Sequence, residues 1–234
     1  MKEITERQSK ILNIIISDYI ESVQPVSSQI LKEKYNFKMC PATIRNEMQK
    51  LTNQGYLLQL YASSGKIPSD KGYRFFVNEL IEKDVVDVSF KSNISKKKRN
   101  NLFNFVQWTA KTLSSDCSNL GIAYIFEDDF TYKEGWEDVI QEPEFEKKKY
   151  VFDFTQLIKN FEENMPNLKI IPDVKIYIGK ENPFSKTKDF SIIIRGCCFP
   201  KNRKGVLAIL GPKRMTYQKN IRKINSLVNW LNKH

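Results

Sequence analysis

Pro41-Ala42-Thr43-Ile44-Arg45-Asn46-Glu47-Met48 opens a helix. Proline is favoured at a first helical position, where its missing N–H would be unpaired anyway. Met39 and Ile44 have the spacing of a hydrophobic staple, and Cys40 falls at the N-cap, where a thiol is inferior to Ser, Thr, Asp or Asn. On a helical wheel Ile44, Met48 and Leu51 share the inner face. Ala42, Arg45, Asn46, Gln49, Lys50 and Asn53 point outward or to the flanks. That outer face is small and amide-rich, with two cations and no acid. Asn and Gln can bond adenine edges bidentately, and Arg can bond guanine edges or phosphate. Small Ala42 lets the helix N-terminus, with its free N–H groups, approach a phosphate. The face suits a helix lying in the major groove of DNA. An ordinary solvated helix face is the competing reading, and the flanking segments decide between them.

Upstream, Ile11, Leu12, Ile15, Ile16, Tyr19 and Ile20 recur at helical spacing, which predicts a helix from about Glu6 to Glu21 with Thr5 as its N-cap. A second helix starts at Ser27, with Val26 and Leu31 at staple spacing and Ile30, Leu31 and Tyr35 on its buried face. Asn36 tolerates the left-handed turn that leads to the third helix. Downstream, Gly55 closes that helix, and Tyr56 to Tyr61 reads as a strand. Ser63-Ser64-Gly65-Lys66 then forms a hairpin tip, and a helix from Lys71 to about Lys83 buries Tyr73, Phe76, Val77 and Leu80.

Three helices followed by a Gly-tipped strand pair make residues 1–83 a winged helix-turn-helix, whose partner is double-stranded DNA. The candidate contacts are Asn46 and Gln49 on base edges, and Arg45 and Lys50 on bases or phosphate. Ser28, Lys66, Lys71 and Arg74 are candidates for phosphate, with Ala42 and Thr43 at the helix entrance. Lys66 is expected at the wing tip.

After Asp84 the pattern is mixed. Amphipathic helices are expected over Ser95–Ser115, Phe152–Asn164 and Tyr217–Lys233. Strands are expected over Asn119–Phe126, Val174–Gly179, Phe190–Gly196 and Val206–Leu210. Residues 84–234 therefore read as a second, α+β domain.

Other classes are bounded by composition. The only histidine is His234, which removes Ser-His-Asp, Cys-His and paired-histidine zinc chemistry. Cys40, Cys117, Cys197 and Cys198 show no C-x-x-C spacing and read as reduced thiols, so no metal or other cofactor is expected. No stretch is apolar over the length of a bilayer, and the start lacks a signal-peptide core, which places the protein in the cytoplasm. Of the net charge of +11, residues 190–234 hold ten basic and no acidic side chains. Two readings of that excess stay open: a solvated surface, or extra non-specific DNA affinity from Arg195, Lys201, Arg203, Lys204, Lys213 and Arg214.

The run Leu57 to Asn78 (LLQLYASSGKIPSDKGYRFFVN), with PATIRNEM at 41–48 and Thr5-Glu6-Arg7-Gln8, resembles the heat-inducible transcription repressors of the HrcA family. Gln141 to Phe145 (QEPEF), Ile178 to Pro183 (IGKENP) and Gly205 to Tyr217 (GVLAILGPKRMTY) resemble that family's later segments in the same order. The resemblance implies a GAF-like second domain and a homodimeric repressor of chaperone operons. It also implies an inverted-repeat operator of the CIRCE type and help from the GroEL chaperonin in keeping the repressor folded. Departures are Cys40 in place of a capping Ser, Lys66 in place of a wing Arg, and Lys213 where Thr is common. The family's inserted dimerising domain has no room here, because only Phe126 to Glu134 separates the two flanking segments. A rival from another class is a regulator whose GAF-like domain senses a small molecule, although no Gly-rich loop or paired-carboxylate motif marks a pocket. An enzyme is the remaining rival, and no nucleophile motif supports it.

Overall fold

Thr5 and Gln8 start the first helix by satisfying each other's backbone. Gln8 N donates to Thr5 Oγ1 at 3.3 Å and Thr5 N donates to Gln8 Oε1 at 3.0 Å. The structure, a computed structural model, describes residues 4–35, 39–61, 64–83, 101–115, 118–168 and 172–233. The chain divides into two compact units, residues 1–83 and 84–234.

In the first unit, α1 (Glu6–Ser22) buries Ile11, Leu12, Ile15 and Ile16 completely. Each such side chain stabilises the fold by roughly 1.5–3 kcal/mol relative to exposure. The next helix, α2 (Ser28–Tyr35), is capped by Ser27, whose Oγ accepts from Ile30 N at 3.2 Å. It is tied to α1 through the buried Asp18 carboxylate, which accepts from Tyr35 Oη at 2.8 Å and from the Lys34 ammonium. Asn36, the expected turn residue, lies outside the described residues.

Helix α3 (Pro41–Asn53) packs Ile44, Met48 and Leu51 against the first two helices. It ends where Tyr56 N donates to Leu51 O and Gly55 N to Thr52 O, both at 2.9 Å. Gly55 sits at φ +80°, the left-handed conformation this double closure requires. Strand β1 (Leu57–Gln59) pairs antiparallel with β2 (Lys66–Pro68). Val26, between α1 and α2, forms an isolated bridge to Lys66 and so lies along the hairpin's edge. Ser69 caps α4 (Asp70–Lys83), its Oγ accepting from Gly72 N at 3.1 Å. Tyr73 and Val77 are buried as expected, whereas Phe76 and Leu80 are only partly covered.

The second unit is a five-stranded antiparallel sheet between helices, an α+β arrangement. Along the chain come α5 (Leu102–Ser114), β3 (Leu120–Ile125), β4 (Phe130–Glu134), the short α6 (Trp136–Val139) and α7 (Lys148–Asn164). Strands β5 (Lys175–Ile178), β6 (Phe190–Phe199) and β7 (Arg203–Pro212) and helix α8 (Tyr217–Leu231) complete it. The strand order is β4-β3-β7-β6-β5, with Ile122 opposite Ala208 and Ile193 opposite Ile209.

One face of the sheet, carrying Leu120, Ile122, Tyr124, Ile192, Ile194 and Leu210, forms a core with Phe154, Leu157 and Phe161 of α7. The other face is covered by α5 and α8. There Phe105 stacks on Trp230 with ring centroids 6.2 Å apart, and Ser191 Oγ meets Tyr217 Oη at 2.8 Å. Burial on both faces explains why β3 is apolar throughout rather than alternating.

Two features depart from the sequence-based expectation. Strand β4 was unforeseen, because an edge strand that is mostly half-buried carries the mixed string Phe-Thr-Tyr-Lys-Glu. Strands β6 and β7 run to ten residues each, extended by their mutual pairing from Phe190–Pro212 to Phe199–Arg203. The expected helical residues 95–100 lie outside the described residues, and the helix is seen from Leu102, capped by Asn101.

Candidate nucleic-acid interface

The solvent face of α3 carries Ala42, Arg45, Asn46, Gln49, Lys50 and Asn53, all exposed. Among the described residues Arg45 and Asn46 hold no ion pair or side-chain hydrogen bond, so both keep their full donor and acceptor capacity. Gln49 Nε2 donates to Asn53 Oδ1 at 3.0 Å, one turn along. Thr43, half-buried at the helix entrance, meets the Cys40 thiol at 3.1 Å.

Lys50 is drawn back toward the helix. Its Nζ lies 2.9 Å from Glu47 Oε1, and Glu47 is buried and also accepts from Gln8 Nε2 at 3.0 Å. The Lys50 ammonium, opposed by burial and helped by the Gln8 amide, holds the Glu47 carboxyl below its ordinary value of 4.5. Sequence reasoning missed Glu47. Its one signal was the Glu47–Lys50 spacing of three residues on a helix.

Beside this face lies a cavity of about 440 Å³ whose walls include Ser27, Ser28, Arg45, Gln49, Gln59 and Lys66. It joins the start of α2, the flank of α3 and the hairpin. Ser28 is only 7% exposed and lines this cavity.

Lys66 is not at the hairpin tip, which corrects the expectation for it. It is the first residue of β2, directly opposite Gln59, and is 8% exposed. Its Nζ donates to Gln59 Oε1 at 2.7 Å and to Gln49 Oε1 at 3.2 Å. Burial lowers its pKa from the ordinary 10.5. Gly65 just before it permits this approach, since a Cβ there would come within 2.6 Å of Pro25 O.

On α4, Lys71 Nζ donates to Gln54 O at 2.8 Å, at the end of α3, and stands 4.1 Å from the Tyr56 ring centre. Arg74, one turn further, is half-buried. The structure thus gathers Ser28, Arg45, Gln49 and Lys66 around one groove. It places Ala42, Thr43, Asn46 and Lys50 along the same helix, and Lys71 at that helix's far end.

The C-terminal cations Lys201, Arg203 and Lys204 do not share one patch with Lys213 and Arg214. Lys201, Arg203 and Lys204 lie where β6 turns into β7, with Arg203 Nε 3.8 Å from Asp128 Oδ2 and the backbone N–H of Lys204 donating to Glu127 Oε1 at 3.0 Å. Lys213 and Arg214 follow the other end of β7, about 30 Å away at the rise of a ten-residue strand. There the Arg214 guanidinium is taken up by Glu142 and Glu144. Arg195 donates to Asn225 Oδ1 at 2.8 Å. Among the described residues no group of acidic, histidine or cysteine side chains could hold a metal ion, and no helix is long and apolar enough to cross a membrane.

The HrcA protein C terminal domain family matches residues 73–221. The heat-inducible transcription repressor HrcA of Thermodesulfovibrio yellowstonii is 25% identical across 97% of this chain and 97% of that protein. That of Clostridium acetobutylicum is 26% identical across 98% and 97%. The first alignment runs over 341 positions against a chain of 234 residues, so at least 107 of them stand opposite gaps in this chain. The same repressor of Alkaliphilus metalliredigens is 52% identical over 80 residues, 34% of this chain and 23% of that one. A crystal structure of a hypothetical protein has the same fold, with a TM-score of 0.77 at 18% identity over 99% of this chain and 98% of that one. The family match spans well over half of the chain and the alignments run nearly end to end: this chain belongs to the HrcA family, whose named members are transcription repressors and not enzymes.

Proposed function

We propose that this chain is a transcriptional repressor whose residues 1–83 form a winged helix-turn-helix on double-stranded DNA. The observation that carries the reading is the outer face of α3, where Arg45 and Asn46 stand exposed, without a side-chain partner among the described residues, beside a groove lined by Ser28 and Lys66. Asn46 and Gln49 meet base edges, Arg45 a base or a phosphate, and Lys50 a phosphate after leaving Glu47. Ser28, Lys71, Arg74 and the α3 entrance at Ala42 and Thr43 meet the backbone. Residues 84–234 are a GAF-like domain.

The operator is an inverted repeat of the CIRCE type upstream of chaperone operons, bound by a homodimer with one chain per half-site. GroEL assists the repressor in the cytoplasm. The resemblance to the family supports these three statements. The family's inserted dimerising domain is missing between β3 and β4. The support is the direct hairpin there, with Ile125 opposite Phe130, and the gaps in the alignment with the longer relatives.

The test is fluorescence anisotropy with a CIRCE-type repeat and a scrambled duplex at near-physiological salt, with stoichiometry. Two chains per repeat and an affinity at least a hundredfold above the scrambled duplex are expected. Equal affinity for both duplexes overturns the reading.

A further inference from the structure

Lys66 is fixed from both sides of its backbone. Its N–H donates to Val26 O at 2.8 Å, and its carbonyl accepts from Val26 N at 2.9 Å. From this base the side chain runs inward to two amides, Gln59 on the hairpin and Gln49 on α3. An ammonium can only donate, so the atoms facing it are the two amide oxygens. The orientation of the Gln49 amide, ambiguous for an isolated glutamine, is therefore set by chemistry. With the oxygen held toward the hairpin, the nitrogen turns toward Asn53, whose Oδ1 accepts from it.

Among the described residues the partners of this buried cation are both neutral amides. Releasing either oxygen leaves the charge poorly compensated, so the arrangement resists rotation of the Gln49 amide. Lys66 lines the cavity beside α3 together with Arg45 and Gln49 of that helix.

We infer that Lys66 is a positioning residue for sequence readout: it locks Gln49 in a single amide orientation and couples the hairpin to α3, and it is not a phosphate contact. This rests on the reading of α3 as the DNA-reading helix. A glutamine free to flip presents donor and acceptor in either order and discriminates poorly. One held in a single flip presents one order, which matches one pattern of base edges.

The experiment compares the parent with Lys66→Met, Gln49→Ala and the double variant, with Arg74→Met as a phosphate-contact control. Methionine keeps the length of the stem, and the partners it leaves behind are neutral amides rather than an uncompensated charge. Gln49 and Gln59 are both exposed and their oxygens can rehydrate. Single-base substitutions of the operator first define the positions that stop mattering in Gln49→Ala. Lys66→Met is expected to lose about tenfold in discrimination at those same positions, and the double variant nothing further. The slope of log affinity against log salt should stay at the parent value in Lys66→Met and fall by about one in the Arg74 control.

A slope lowered by about one in Lys66→Met, with discrimination intact, overturns the inference and makes Lys66 a phosphate contact. A second readout needs no DNA: relaxation of the Gln49 side-chain amide in the free protein. The amide should be ordered in the parent and mobile in Lys66→Met. Equal mobility in both sinks the lock even where DNA binding stands. An ordered amide in a parent that does not discriminate operators sinks the DNA reading instead.

Discussion

The Arg214 guanidinium grips Glu144 through two parallel hydrogen bonds, Nε to Oε1 at 2.6 Å and Nη2 to Oε2 at 2.7 Å, and a further Nη2 contact reaches Glu142. The Arg214 side chain is 11% exposed and those of the carboxylates 22% and 24%. The pair fastens the connection between α6 and α7 to the end of β7, which brings the QEPEF and GPKRMTY segments together. A planar fork matches a carboxylate in a way an ammonium cannot.

Arg214→Met leaves two partly buried carboxylates side by side without their cation. The expected loss is about 2–3 kcal/mol, at the low end for a broken buried pair because both acids keep some contact with water. Arg214→Lys should recover less than half, since one point charge replaces a bidentate contact. Urea unfolding followed by tryptophan fluorescence measures it, all three tryptophans lying beyond residue 84. A loss below about 0.5 kcal/mol, the scale of a surface pair, would remove the clamp from the account.

Glu47 gives the first unit an acid-sensitive contact. Its folded pKa lies below 4.5, chiefly through Lys50, with Gln8 assisting against burial. A depressed carboxyl pKa contributes stability that is present above the unfolded value, and that stability is lost as pH falls through the folded one. Glu47→Gln should therefore lower stability at pH 7 by about 1 kcal/mol. It should leave stability at pH 3 closer to the parent's. Denaturant midpoints at the two pH values check this, and an equal difference at both would show that the charge of Glu47 contributes nothing.

The parts of the fold that were legible in the sequence are those set by local chemistry. Thr5, Ser27, Pro41 and Gly55 each mark a helix end by what one side chain or one φ angle permits, and each does so in the structure. The inner face of α3 followed from its period. What was not legible depends on partners distant in sequence. Lys66 points inward because β2 pairs with β1 in the register that sets it against Gln59, and because Val26 closes its other edge. A tip position and a strand position carry the same lysine, and only the register separates them. Glu47 lies on the flank between the two faces of its helix, and the amide that binds its carboxylate there is Gln8, 39 residues earlier. The spread of the C-terminal charge likewise follows from the length of β7, not from the count of lysines and arginines.

Gly72 lets α4 lie against the chain just ahead of β1. A Cβ there would stand 2.3 Å from Tyr56 O, a backbone atom held in turn by Ser69 N at 3.1 Å and Ser69 Oγ at 3.0 Å. A backbone group so fastened cannot yield as a flexible side chain would. Gly72→Ala should destabilise the first unit by about 1–3 kcal/mol, despite the better helix propensity of alanine. Calorimetry should show a lower transition for residues 1–83 and an unchanged one for residues 84–234. An unchanged or raised first transition would mean that α4 shifts freely.

The cysteines differ enough to report on the entrance of α3. Cys40 is exposed, and the Thr43 hydroxyl 3.1 Å from its sulfur, with the backbone amides beside it, holds its thiol below the ordinary value of 9.0. Cys197 is buried in β6, and that burial pushes its thiol well above the ordinary range. Reaction requires the thiolate, so iodoacetate at pH 8 should modify Cys40 in the native protein and Cys197 only after unfolding. The product carries a carboxylate at the start of the helix proposed to face phosphates. Operator affinity should fall at least tenfold, an effect of like charge at close range. Neutral iodoacetamide should weaken binding less. Cys40→Ser should abolish sensitivity to both reagents and supply a better N-cap, adding about 0.5–1 kcal/mol of stability. Peptide mapping by mass spectrometry, paired with anisotropy on the same samples, decides the matter. Cys40 fully carboxymethylated with operator affinity unchanged would move the entrance of α3 away from the DNA.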